Sequence, residues 1–218
     1  MSYDAVVFDN DGVLVDTTEY DVLHEAAWRA FAEAGVHDPD PGHVEEIVAG
    51  VTPESLATVC DTYGLSVEEF WEIRDRTSHE AQRDYVHAGG KPLFEDVPTL
   101  ANLDIPMGVV SSNQQETVDF ILEHFGVSEL FDTAYGRQPT MADLRRKKPD
   151  PHFLDRALAD LDAEDALYVG DREDDITAAV NAGIDSAFIR RPHREYHDLS
   201  VRPTHEVDDL HDVRALCR

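Results

Sequence analysis

Residues 5–16 read AVVFDNDGVLVD. The run that ends at Phe8 is apolar and rich in β-branched residues, and it breaks off at Asp-Asn-Asp-Gly. That is the pattern of a short buried strand followed by a tight turn. Asp9 and Asp11 therefore stand as a carboxylate pair at the end of a buried strand. Charge in that position is costly, and a metal ion or an anionic intermediate handled there is the usual explanation. The spacing carries little weight alone, because the chain holds 46 Asp and Glu residues and Asp38/Asp40 and Asp160/Asp162 share it. Context has to decide.

Three further stretches behave like the first. Ile105–Val110 runs into Ser111-Ser112-Asn113, Ala166–Val169 into Gly170-Asp171, and Asp185–Ile189 into Arg190-Arg191. Helical patterns lie between them, at Glu116–Phe125 and Pro151–Leu161. Thr204–Val207 reads as an edge strand and Leu210–Cys217 as a last short helix. Alternating strands and helices imply a Rossmann-like, doubly wound parallel α/β sheet. Ligands of such sheets bind outside the carboxyl ends of the strands, where these polar residues fall. From Thr17 to about Gly90 the pattern is helical throughout, with helices at Asp21–Ala34, Pro53–Tyr63 and Val67–Val86. The expected organisation is a core of residues 1–16 and 90–218 with an all-helical cap domain inserted at 17–89.

The composition narrows the setting. Net charge is −28 at pH 7, which argues against nucleic acid and anionic membrane surfaces as partners. No apolar run near the N-terminus has the length of a signal peptide or a membrane span. Cys60 and Cys217 have neither disulfide-framework nor zinc spacing, so a reducing cytoplasm is expected. Lys91, Lys147 and Lys148 are the only lysines.

The strand-end groups suit phosphoryl transfer. One carboxylate can attack phosphorus and a second can shuttle a proton. Crowded carboxylates need a hard cation such as Mg²⁺. A lysine and a hydroxyl can hold the remaining phosphate oxygens, and the turns at Gly12 and Gly170 expose amide groups that suit an anion. Ser111 competes with Ser112 for the hydroxyl, Lys147 with Lys148 for the cation, and Asp174 with Asp175 for the last acid.

DxDGVLVD, SSN, KKPDP and GDxxxD, in this order and over nearly the whole chain, resemble the haloacid dehalogenase superfamily, in the subclass with a helical cap and the branch of phosphoglycolate phosphatases and β-phosphoglucomutases. The resemblance implies Asp9 as nucleophile and Mg²⁺ ligand, and Asp11 as general acid/base with its backbone carbonyl on the metal. Ser111 and Lys148, with Ser112, Asn113 and the turn amides nearby, would hold the phosphoryl group of a small phosphorylated metabolite. Asp171 would bind Mg²⁺, and Asp175 would hold a metal-bound water or complete the acidic cluster. Ser111 is preferred as the first polar residue after its strand, and the resemblance selects Lys148 and Asp175 among their competitors. It implies a phosphatase, with a sugar-phosphate mutase and a catalytically idle binding module as alternatives. The second aspartate tells against a dehalogenase.

Some positions depart from the family. His24 and Trp28 resemble a cap HxxAW but sit about three residues late, and a helix-face packing role for His24 competes with a substrate role. The loop Gly50–Leu56 has Pro53 and Glu54 where a mutase-like arginine is expected. Asn10 replaces an apolar residue. The basic stretch Arg145–Lys148 is either a local phosphate attractor or an exposed loop that balances nearby acids.

An acidic, lysine-poor chain reads as adapted to high salt. Its charges repel in dilute buffer, whereas at molar salt the screening length falls to about 3 Å. The melting temperature is therefore expected to climb as KCl is raised from dilute buffer to the molar range. A midpoint indifferent to salt would refute the adaptation.

Overall fold

The computed structural model describes residues 3–195 and 197–217. Residues 1, 2, 196 and 218, which the expected core limits include, lie outside the described residues. The chain divides into two compact units. The first comprises Met1–Thr17, Pro92–Gly136 and Arg146–Arg218. The second comprises Thr18–Lys91 together with Arg137–Arg145. The sequence places residues 137–145 in the core; by their contacts they go with the helical unit.

The first unit is built on a six-stranded sheet of β1 (Ala5–Phe8), β2 (Met107–Gln114), β3 (Thr133–Arg137), β4 (Ala166–Gly170), β5 (Asp185–Ile189) and β6 (His205–Val207). The order is β3-β2-β1-β4-β5-β6, and β1 pairs in parallel with both β2 and β4. β4–β5 and β5–β6 are parallel as well. Strand order reverses at β1, so a crevice opens at its carboxyl end.

Side-chain alternation explains the apolar runs. Val6 and Phe8 point to one face, with Val109, Leu167 and Val169. There they meet Val118 and Leu122 of α5 (Gln115–His124) and Leu210 and Val213 of α9 (Leu210–Leu216). Ala5 and Val7 point to the other face, with Val110 and Tyr168. They meet Phe153 and Leu154 of α7 (His152–Asp160) and Ala179 of α8 (Glu173–Ala182). Strands covered on both faces lose the polar half of the alternation.

The helical unit holds α1 (Tyr20–Glu33), α2 (Pro41–Val48), α3 (Pro53–Tyr63), α4 (Val67–His87) and the short α6 (Met141–Arg145). Phe31, Ile47, Leu56, Trp71 and, from α6, Leu144 share its core. Among these elements, α2, β3 and the five-residue α6 went unread in the sequence. In α2 only Pro41 at the start and the Asp40 cap, which accepts from Gly42 N at 2.8 Å, signal a helix. β3 is a half-buried edge strand interrupted by Gly136, so its apolar signal is weak.

His24 packs on the face of α1. Its ring lies 6.3 Å from that of Trp28 and 5.8 Å from that of Tyr20, and its Nε2 is 3.4 Å from Glu45 Oε1. These neighbours account for its place without a substrate.

The helical unit carries one buried ionic centre that ties α6's segment down. Arg74 donates from Nε to Ile47 O (2.9 Å) and from Nη2 to Val48 O (2.6 Å), the last carbonyls of α2. Asp75 accepts from Arg74 Nη1 (3.2 Å), from Arg137 Nη2 (2.7 Å) and from Arg137 Nη1. Both guanidinium groups lie over the Trp71 ring, at 5.2 and 4.6 Å. Removing the carboxylate takes a negative charge away from two buried guanidinium groups. Asp75→Ala is expected to cost about 3–5 kcal/mol in urea unfolding, and a loss below about 1 kcal/mol would contradict the account.

Candidate active site

The turn after β1 is built on Asn10. Its carbonyl accepts from the N–H groups of Val13 (3.3 Å), Leu14 (2.9 Å) and Val15 (3.2 Å), so the chain doubles back at once. Asn10 is fully buried; its Nδ2 reaches Asp11 Oδ2 at 3.5 Å and its Oδ1 has no partner among the described residues. Gly12 sits at φ +84°, and a Cβ there would lie 2.6 Å from Asp171 Oδ2. The glycine thus lets the turn close on the end of β4. Its N–H goes to Val15 O (2.7 Å), and those of Asp171 and Arg172 go to Asp175 Oδ2 (3.1 and 3.0 Å). Contrary to the sequence expectation, these amides serve the protein itself and are not open to an anion.

Asp9, Asp171, Asp175 and Lys148 are buried together. Lys148 Nζ lies 2.9 Å from Asp9 Oδ1 and 2.5 Å from Asp175 Oδ1. It also donates to Tyr168 Oη (2.8 Å), which in turn donates to Val110 O (2.8 Å). Gly170 has no Cβ because Asp175 Cβ would stand 2.2 Å from it. Asp175 caps the start of α8 with one oxygen and meets Lys148 with the other.

The electrostatics follow from this crowding. Burial, together with the charges of Asp175, Asp171 and Asp11, pushes the Asp9 carboxyl up to about 7, against the pull of Lys148. Burial likewise raises Asp175, again opposed by Lys148. Burial would lower Lys148, but Asp175 and Asp9 hold it well above the usual lysine range. Asp171 is also penalised by burial, yet His193 and Arg194 bring it below the usual carboxylate range.

Asp9, Asp171 and Asp175 each offer a carboxylate oxygen within 4.8 Å of the others. Asp9 Oδ1 lies off the line of a hydrogen bond to Lys148, and Asp171 Oδ1 is buried with no partner among the described residues. An all-oxygen donor set with two such atoms fits a hard divalent cation. The Asp11 carboxylate lies outside this trio. It is half-buried and accepts from Asn113 Nδ2 at 3.1 Å.

The sequence reads Ser111-Ser112-Asn113 as lying beyond their strand, whereas β2 continues through them to Gln114 with β3 alongside. Ser111 is buried and its Oγ accepts from Asn113 N (3.1 Å); Ser112 is half-buried. Lys148 is the lysine in the cluster, and Lys147 is half-buried. Asp174 is exposed on α8 while Asp175 is fully buried. The basic stretch does not act as one patch: Arg145 and Arg146 are exposed, and Lys148 is internal.

Three residues at the cluster had no signal in the sequence: Tyr168, beside Lys148, and His193 and Arg194, beside Asp171. His193 Nε2 lies 2.8 Å and Arg194 Nε 3.0 Å from Asp171 Oδ2. Both follow β5, more than twenty positions from Asp171, in a segment without a motif.

Comparison with known proteins bears on the family and the fold. A family model described as haloacid dehalogenase-like hydrolase matches residues 6–189. The chain is similar to the pyrophosphatase PpaX of Bacillus cereus (strain Q1), 28% identical over 194 residues that cover 87% of this chain and 84% of that protein. PpaX of Bacillus velezensis is 25% identical over 217 residues, covering 96% and 94%. Among solved structures, CbbY from Rhodobacter sphaeroides in complex with phosphate aligns with a TM-score of 0.71 at 20% identity, covering 97% of this chain and 96% of that one. A predicted phosphoglycolate phosphatase from Haemophilus somnus aligns with a TM-score of 0.65 at 19% identity, covering 99% and 98%. With the strand order and the family match over residues 6–189 agreeing, the chain belongs to the haloacid dehalogenase-like hydrolases.

Proposed function

We propose that this hydrolase is a Mg²⁺-dependent phosphatase that cleaves a small phosphomonoester through an aspartyl-phosphate. The observation that carries the reading is the meeting of Asp9, Asp171, Asp175 and Lys148, with two buried carboxylate oxygens lacking hydrogen bonds. Asp9 attacks phosphorus, forming the acyl-phosphate bond as the P–O bond to the alcohol breaks. Asp11, oriented by Asn113, gives the departing oxygen its proton. Asp11 then takes a proton from water, which cleaves the acyl-phosphate and frees Asp9 and inorganic phosphate. Ser111, whose Oγ accepts from Asn113 N and so keeps its own proton to donate, and Lys148 hold the non-transferring oxygens, with Ser112 and Asn113 beside them. Asp9, Asp171 and Asp175, with the backbone carbonyl of Asp11, would hold Mg²⁺. When bound, the ion neutralises charge between nucleophile and phosphate.

A second substrate reading has its own support: the similar PpaX proteins are named pyrophosphatases, so pyrophosphate belongs beside phosphomonoesters. A mutase role is weakened by Pro53 and Glu54 in the loop where an arginine is expected.

Phosphate release from phosphoglycolate, β-glucose 1-phosphate and pyrophosphate should be measured in molar KCl with and without Mg²⁺. The expected result is Mg²⁺-dependent release from at least one of them. Asp9→Asn should abolish it with the fold intact, and a wild-type rate in that variant would end the mechanism. Asp11→Asn should slow turnover by about 10²–10⁴-fold.

Linkage gives a separate check. Asp9 and Asp175 bind protons more tightly when folded than when unfolded, so in metal-free protein their contribution to stability falls as pH rises from the ordinary carboxylate range through about 7. Mg²⁺ needs the deprotonated forms. At 100 times the Kd that holds at pH 8 it should add about 2.7 kcal/mol there, and at that same Mg²⁺ concentration the gain in melting temperature should be smaller at pH 5. An equal gain at both would refute the linkage.

A further inference from the structure

We infer that His193 and Arg194 are positioning residues that hold Asp171 by one oxygen and so present its other oxygen to a cation. The inference rests on the metal-dependent reading above and adds two residues outside the motifs. A carboxylate turns easily about its last torsion, so either oxygen can face a given side unless something fixes it. Asp171 is fixed from three sides. His193 Nε2 at 2.8 Å and Arg194 Nε at 3.0 Å both act on Oδ2. The turn at Gly12 closes the third side, where a Cβ would stand 2.6 Å from Asp171 Oδ2 and 2.9 Å from His193 Nε2. Oδ1 is left buried without a partner, and Asp171 is one of the three grouped carboxylates. Partners that hold one atom of a ligand and leave the other for the metal are how an outer shell orients a site.

Charge alone predicts the opposite role for Arg194. A guanidinium beside a cation site repels the cation, so deleting it on electrostatic grounds tightens metal binding. Orientation predicts loosening. The two accounts differ in sign, and the difference can be read without turnover.

The experiment is calorimetric titration of the full chain with Mg²⁺ in molar KCl, for wild type, His193→Ala, Arg194→Ala and Arg194→Gln. The two side chains are 24% and 26% exposed, so truncation leaves no large cavity; circular dichroism checks the fold. Each alanine variant is expected to bind Mg²⁺ about 10–100-fold more weakly. Arg194→Gln places an amide nitrogen the same number of bonds from the backbone as Arg194 Nε, without the charge, and is expected to bind at least as tightly as wild type. Alanine variants that bind as tightly as wild type, or tighter, overturn the proposal and leave the metal-dependent reading standing. So does an Arg194→Gln variant as weak as Arg194→Ala. A wild-type protein that takes up no Mg²⁺ overturns both.

Discussion

Three carboxylates and one ammonium buried at the carboxyl ends of β1 and β4 set the terms for the first unit. Taking an ion out of water costs several kcal/mol even after the protein relaxes, and partners must offset it. Lys148 meets Asp9 and Asp175 but balances only one negative charge. The excess shows in the raised Asp9 carboxyl and in the buried Asp171 Oδ1, which has no hydrogen-bond partner among the described residues. A site so arranged favours added positive charge on one side and, once that is present, an anion on the other. Much nearby structure serves the cluster. Gly170 makes room for Asp175, Tyr168 carries Lys148, and Asn10 folds the turn so that Gly12 can lie against Asp171.

Cations inside this acidic chain are placed with economy. Of its three lysines, Lys91 and Lys148 are buried, and Lys91 Nζ donates to Thr18 Oγ1 at 3.0 Å. Arginines act as pins inside each unit. Arg191 holds Asp96 with both terminal nitrogens, at 2.7 and 2.9 Å, and the Val13 carbonyl at 2.8 Å. The end of β5 is thereby fastened to the turn that follows Asp9. Arg74 and Arg137 do the same around Asp75 in the helical unit. The planar fork of arginine suits a carboxylate, whereas the point charge of lysine suits a crowded cluster.

The core strands and main helices were legible because burial on both sheet faces leaves continuous apolar runs and helical burial leaves a period. β3 was not, since an edge strand with a glycine buries too little to leave a pattern. Nor was the place of residues 137–145, which go with the helical unit through Leu144 and Arg137, contacts far apart in the chain. At the candidate site, Asp9, Ser111 and Asp171 were readable from the abrupt change from apolar to polar at strand ends. Lys148 and Asp175 were readable from the family-like order of motifs. His193, Arg194 and Tyr168 were not, because a polar residue in an arginine-rich loop or on an apolar strand looks the same whether or not a carboxylate waits across the fold.

What the sequence determined by itself is the parallel α/β core, the helical insert and the set of groups at the strand ends. Each rests on local periodicity or on residue type next to a strand, and both survive in one dimension. Only the tertiary structure decided which oxygen of Asp171 is held, that the amides near Gly12 are engaged, that Asp175 serves both helix and lysine, and that Arg145–Lys148 divides among separate surroundings. Those outcomes depend on distances between residues far apart in the chain, which are set when the sheet closes and buried charge has to find its partners.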